Sequence, residues 1–300
     1  LSGQMPFAAV SRIVGESPHR VLAVCEKYVD MACGLADHSQ VKALAIDETS
    51  RAKGHNYVTL AADAHARRVL FVTEGRDAKT IKELASYLED HGCPAENITH
   101  TSIDMSPAFI SGVSKHLPNA RITFDKFHII GHASAAVDKM RRIEQKTDKS
   151  LKGMRWTLLK DKSKLKPQAA ADLDALIAKM AVKRTARAWS YKEQLRVILE
   201  RKQINVMRAM LEHWCLCVMR SKVEPMKEVA KMIRSHLEGI VAWAQTRQTN
   251  GFLEAINGLF QASKRRARGF TRLSTIRTVI FLIAGKLDFH AINPHAGQPT

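Results

Sequence analysis

The chain is poor in cysteine: five in 300 residues, at Cys25, Cys33, Cys93, Cys215 and Cys217, with no Cys-x-x-Cys pair. An odd, scattered set argues against a disulfide framework and for a reducing cytoplasm. Cys215-x-Cys217 beside Trp214 reads as buried helix packing rather than half of a zinc site. Long apolar runs are lacking too. The longest late one, Val279 to Ala284, is too short to span a bilayer, and no signal peptide opens the chain. No fixed-period repeat is present, which excludes a solenoid. The first residue is Leu1 rather than Met, which points to a fragment or an incomplete reading frame.

Acidic charge is scarce over most of the length. Residues 1–100 hold 11 Lys/Arg against 13 Asp/Glu, a balance of −2, whereas residues 101–300 hold 36 against 16, a balance of +20. A surplus on that scale favours a polyanion, because each cation that meets a phosphate releases bound counterions. Ordinary apolar content and 300 residues leave ample core for one large domain with an insertion.

Residues 5–15 carry apolar groups at helical spacing, Gly15-Glu16-Ser17-Pro18 breaks them, and a second helix runs through Val21, Leu22, Val24, Cys25 and Tyr28. The outline is a helix-turn-helix, although its surface is not basic. Three short strands follow at Lys42–Asp47, Tyr57–Ala62 and Val69–Thr73, joined by turns containing Gly54 and Asp63-Ala64-His65. Then come a helix from Ala78 to Leu88, a strand ending at Asp104, a helix from Pro107 to His116, and a strand from Arg121 to Phe124. The pattern predicts a mixed α/β sheet with helices on its faces. From 129 to 247 strand signals vanish and Lys, Arg, Ala and Leu dominate, so an all-helical insertion is expected, with breaks at Pro167 and Pro225. Its tryptophans, Trp156, Trp189, Trp214 and Trp243, are expected to be core anchors.

Against so basic a background, three acids stand out. Asp47 ends the apolar run Ala43–Ile46, Asp104 closes Ile98–Ile103, and Glu254 lies in Asn250-Gly251-Phe252-Leu253-Glu254-Ala255-Ile256-Asn257. Carboxylates at strand ends and on a neighbouring helix can share a metal ion. Asn250, Glu254, Asn257, Gln261, Lys264 and Arg268 follow one another by 4, 3, 4, 3 and 4 positions, so they share one helix face. Leu253, Ile256, Leu259 and Phe260 form the other side, expected to pack on the sheet. The stripe ends in Lys264-Arg265-Arg266-Ala267-Arg268, a candidate grip on phosphate. Glu48 would point away from Asp47 across the strand and reads as structural. His128 and His132 lie one turn apart without further zinc ligands in view.

The strings Ala45-Ile46-Asp47-Glu48-Thr49, Ser102-Ile103-Asp104-Met105-Ser106, Pro118-Asn119-Ala120, Asp125-Lys126-Phe127-His128 and Asn250-Gly251-x-x-Glu254-x-x-Asn257 resemble the ISL-three family of bacterial insertion-sequence transposases. Lys264-Arg265-Arg266-Ala267-Arg268-Gly269-Phe270 is similar to that family's closing motif, and the match runs in order over residues 5–290. The resemblance implies a ribonuclease H-like domain with Asp47, Asp104 and Glu254 as catalytic acids and ligands of Mg²⁺ or Mn²⁺. It implies cleavage and strand transfer on double-stranded DNA, at element ends and target, in the bacterial cytoplasm or on the nucleoid. Asp125 and His128, a D-x-x-H element, would support the site, as would Asn250 and Asn257, while Lys264, Arg265, Arg266 and Arg268 would contact DNA. The domains expected are 1–38 helix-turn-helix, 39–128 first catalytic part, 129–247 helical insertion, 248–290 the part with the third acid, and 291–300 tail. The family's N-terminal zinc-binding segment is not seen. Transposases commonly pair two ends as homodimers, though no heptad seam is visible. The competing readings are a nuclease of the same fold and an inactive DNA-binding remnant of a transposase.

Overall fold

In a computed structural model, residues 3–52, 56–160, 162–179, 183–246, 250–270 and 272–292 are described, and the expected turn at Gly54 and most of the tail lie outside them. The chain forms two compact units, one from residues 1–122 with 248–300 and the other from residues 123–247. No described helix is long and apolar enough to cross a membrane.

The first unit begins with helices α1 (Phe7–Val14) and α2 (Pro18–Gly34). Gly15, at φ +71°, ends α1 in the left-handed conformation that suits glycine, and the Ser17 hydroxyl caps α2 by accepting the Arg20 N–H. Next come β1 (Ala43–Ala52), β2 (Asn56–Asp63), β3 (Arg68–Glu74), α3 (Ala78–Asp90), β4 (His100–Ile103), α4 (Pro107–His116) and β5 (Arg121–Phe124). The sheet order is β3-β2-β1-β4-β5, with β1–β2 and β2–β3 antiparallel and β1–β4 parallel. The mixed α/β sheet expected of a ribonuclease H-like fold is therefore present.

β1 lies at the centre. Ala43, Leu44, Ala45 and Ile46 are all buried, as a strand covered on both faces requires. The strand continues five residues beyond the expected end at Asp47, because its polar half finds partners on other elements. Two late helices, α12 (Gly251–Arg266) and α13 (Leu273–Ala284), pack with α2 against one face. Leu253, Ile256 and Phe260 of α12 join Ala45, Val58, Leu60 and Ile280 in that core. Leu259, expected there from its spacing, is instead 55% exposed, since it falls on the flank between the buried stripe and solvent. α3 and α4 pack together at Gly112, where an added Cβ would come within 2.8 Å of the Ile81 side chain.

The second unit holds α5 (Lys126–Glu144), α6 (Arg155–Leu159), α7 (Pro167–Ile177), α8 (Arg184–Leu199), α9 (Ile204–Arg220), α10 (Glu224–Ser235) and α11 (Leu237–Thr246). Pro167 and Pro225 open α7 and α10, where a missing N–H costs nothing, instead of interrupting a helix. The Glu144 carboxylate accepts the backbone N–H groups of Arg184 and Thr185 at 3.0 and 2.8 Å, capping α8 from another helix. Trp214 and Trp243 are buried as expected, and Trp189 is half-buried. Trp156 is not buried: at 62% exposure it sits on the five-residue α6, with Arg155 over its ring.

Candidate active site

Asp47 stands midway along β1, half-buried, with both carboxylate oxygens engaged. Its Oδ1 accepts the Glu48 backbone N–H at 2.8 Å, and its Oδ2 accepts the Asn257 Nδ2–H at 2.9 Å. Glu48 turns to the opposite face, as strand alternation demands, and its carboxylate meets Arg76 at 3.5 Å.

Asp104 follows the last residue of β4 directly. The parallel register pairs Ala43 with His100, Leu44 with Thr101 and Ala45 with Ser102. The last pair, Ala45 with Ser102, lies two residues before Asp47 on one segment and two before Asp104 on the other. Asp104 Oδ1 accepts the Ser106 N–H at 2.9 Å, which fixes the chain as it enters α4.

Glu254 lies in the first turn of α12, where the helix dipole favours a carboxylate, and it is exposed. Its place is set by a ladder from α12 to β1. Asn250 Nδ2 donates to the Ile46 carbonyl at 3.0 Å, and Asn257 reaches Asp47 and, at 3.4 Å, the Glu48 carbonyl. Gln261 Nε2 donates to Thr49 Oγ1 and to the Ser50 carbonyl, and Lys264 Nζ reaches the same carbonyl at 3.3 Å. Glu254 falls between Asn250 and Asn257 on this stripe, so it lies within about a turn of the Asn257–Asp47 bond. Energetically the division of labour is clear. A buried Leu or Phe side chain contributes roughly 1.5–3 kcal/mol, and an amide–carbonyl bond only about 1 kcal/mol net. The apolar side of α12 therefore holds the helix on the sheet, and the amides choose its register.

The spacing alone predicts a stripe that faces solvent or phosphate; instead most of it faces the central strand. The signal available in the sequence is the choice of amides at 250, 257 and 261. An amide can satisfy buried main-chain groups without the cost of desolvating a charge. Arg265, Arg266 and Arg268 are exposed, at a helix C-terminus where cations are favoured in any case. Arg268, at φ +59°, and Gly269, at φ +111°, terminate the helix. Asp125 and His128 belong to the second unit. Asp125 is fully buried and caps α5 by accepting the Phe127 N–H at 2.9 Å, while His128 Nε2 is buried without a hydrogen-bond partner.

For a divalent ion, the first unit offers the right donor type in the carboxylates of Asp47, Asp104 and Glu254, hard oxygen donors. Among the described residues, no three His, Cys, Asp or Glu side chains stand close enough to enclose a metal ion as they are placed. The fit is thus one of donor type alone.

Two relatives cover most of the chain. The transposase for insertion sequence element IS1001 of Bordetella parapertussis is 26% identical over 270 residues, 87% of this chain and 66% of its own length. The transposase for IS1557 of Mycobacterium tuberculosis is 28% identical over 288 residues, 86% of this chain and 62% of its own. The chain thus spans a little under two thirds of the length of these relatives. The ISL-three group of DDE transposases matches residues 44–280, a span that includes all three acids, and its chemistry depends on a divalent metal. On this match the chain belongs to the ISL-three family of DDE transposases.

Proposed function

We propose that the chain cuts double-stranded DNA at the ends of an insertion sequence and joins the freed 3′-hydroxyl to target DNA. Asp47, Asp104 and Glu254 are its catalytic acids. The observation that supports this reading is the amide ladder from α12 to β1, in which Asn257, about one turn beyond Glu254, donates to Asp47. The β1–β4 register supports Asp104 as the second.

In this reading Asp47 is the central carboxylate, because it sits between the other two elements and is the most firmly held. Asp104 and Glu254 flank it and complete the oxygen set. Mg²⁺ or Mn²⁺, when bound, activates the attacking oxygen and stabilises charge on the phosphorus and the leaving oxygen. No covalent enzyme intermediate is needed, so the same carboxylates serve hydrolysis and strand transfer. Lys264, Arg265, Arg266 and Arg268 grip the DNA backbone. Asp125 and His128 play a supporting part through the start of α5, and a homodimer pairs two ends on the bacterial nucleoid.

The test is metal-dependent nicking of plasmid DNA by the purified chain, together with joining of a pre-cut duplex that carries a free 3′-hydroxyl. Nicking and joining that both vanish in Asp47→Ala are expected. Nicking without joining would leave a nuclease. Tight DNA binding with no metal-dependent cleavage would leave an inactive DNA-binding protein.

A further inference from the structure

Asn257 does more than hold a helix on a strand. Its Nδ2 faces two acceptors, the Asp47 carboxylate at 2.9 Å and the Glu48 carbonyl at 3.4 Å. Rotating the amide by half a turn would set oxygen against oxygen at both, so the network fixes its orientation. The consequence falls on the other amide atom. Oδ1 is buried and accepts no hydrogen bond. Buried acceptors left unmet are uncommon and call for a donor that arrives later.

We infer that Asn257 is a positioning residue for Asp47, and that its Oδ1 accepts a hydrogen from water in the coordination shell of the divalent ion. This rests on Asp47 being a metal ligand. A ligand carboxylate is usually held by a hydrogen-bond donor that sets its angle, and losing that donor weakens metal binding by about 10–100-fold. Donors to Asp47 include the Glu48 N–H, which belongs to the strand itself, and the Asn257 amide, which substitution can remove. Gln261 supplies an internal comparison. It makes equivalent hydrogen bonds from the same helix to the same strand, at Thr49 and Ser50, and none to Asp47.

The experiment is Mn²⁺ titration of the full chain without DNA, read from the electron paramagnetic resonance signal of free Mn²⁺, with thermal unfolding in EDTA alongside. Asn257→Ala is expected to weaken Mn²⁺ binding by about 10–100-fold, while Gln261→Ala binds as wild type. The two variants should unfold at similar temperatures in EDTA. Asn257→Ser, whose hydroxyl is one bond too short to reach Asp47, should repeat the loss if the alanine variant does not fold. Equal Mn²⁺ binding by Asn257→Ala and wild type would overturn the inference, as would an equal loss in Gln261→Ala. Asp47→Ala separates the role of the acids from the role of the amide. If it binds Mn²⁺ like wild type, the reading of the acids themselves is wrong. If it loses Mn²⁺ and the Asn257 variants do not, only the role of Asn257 falls.

Discussion

The two units divide the charge of the chain very unequally. Residues 1–122 with 248–300 carry 20 Lys/Arg against 16 Asp/Glu, a balance of +4, while residues 123–247 carry 27 against 13, a balance of +14. What happens to the acids differs as well. In the helical unit they are largely taken up by ion pairs: Asp138 with Arg141, Arg142 and Arg155, Asp148 with Lys183, Glu228 with Lys231. Lys146, Lys149, Lys152 and Lys160 are left exposed. In the sheet unit Asp47 accepts hydrogen bonds from an amide and a backbone N–H, and Asp104 from a backbone N–H. Under the proposed function, the larger positive surplus of the helical unit would add to the phosphate contacts of Lys264, Arg265, Arg266 and Arg268 in the sheet unit.

The severest challenge to that contrast is to remove an acid. Asp47→Ala, Asp104→Ala and Glu254→Ala should each lower cleavage by more than the roughly 100-fold that follows from losing a ligand's hydrogen-bond partner. Duplex DNA binding should change little, as gel shifts at fixed salt would reveal. The complementary cut is in the helical unit. Replacing Lys146, Lys149 and Lys152 together by alanine should reduce the slope of log affinity against log salt by up to about 3, near 0.9 for each phosphate no longer neutralised. Mn²⁺ binding should not change. A slope unaltered by these three, but reduced by replacing Arg265, Arg266 and Arg268, would confine the DNA grip to the sheet unit.

A smaller effect tests how rigidly the sheet unit is packed behind Asp104. Gly112→Ala would set a Cβ 2.8 Å from Ile81 Cγ1 and 3.2 Å from the Ala78 Cα, a backbone atom that cannot swing aside. Overpacking of this kind costs about 1–3 kcal/mol. A lowered midpoint in urea is expected.

Much of the sheet unit is legible in the sequence, for a reason that its elements make plain. α4, β5 and α13 form where Pro107, the Arg121–Phe124 run and Leu273–Ala284 announce them, because local propensity and apolar pattern agree there. The polar half of β1 is not legible. Asp47 to Ala52 reads as the end of a strand, whereas it pairs on with β2 and takes side-chain partners from α12, some 210 residues away. The direction of the polar stripe is hidden for the same reason, since spacing reveals that residues share a face but not what the face meets. Trp156 defeats the burial rule because it lies on a helix too short to bring its ring against a second layer. The amide that meets Asp47 is visible in the sequence only as a neighbour on a helix face.

The smallest predicted effect returns to the helical unit and to its most unusual acid. Glu144 is buried, and burial alone would raise its pKa, but hydrogen bonds from Thr185 and Arg184 and the charge of Lys183 outweigh that and lower it from the ordinary 4.5. A carboxyl whose pKa is lower in the folded than in the unfolded chain contributes stability that is complete above the unfolded value. That contribution is lost as pH falls through the folded value. Glu144→Gln keeps the shape but can accept only one of the two α8 N–H groups well, so near neutral pH it should cost about 1–2 kcal/mol, as other lost caps do. The gap between the two proteins in urea unfolding should therefore hold steady above the ordinary value of 4.5 and narrow as pH falls below it. A gap independent of pH would mean that the carboxylate matters for its shape and not its charge.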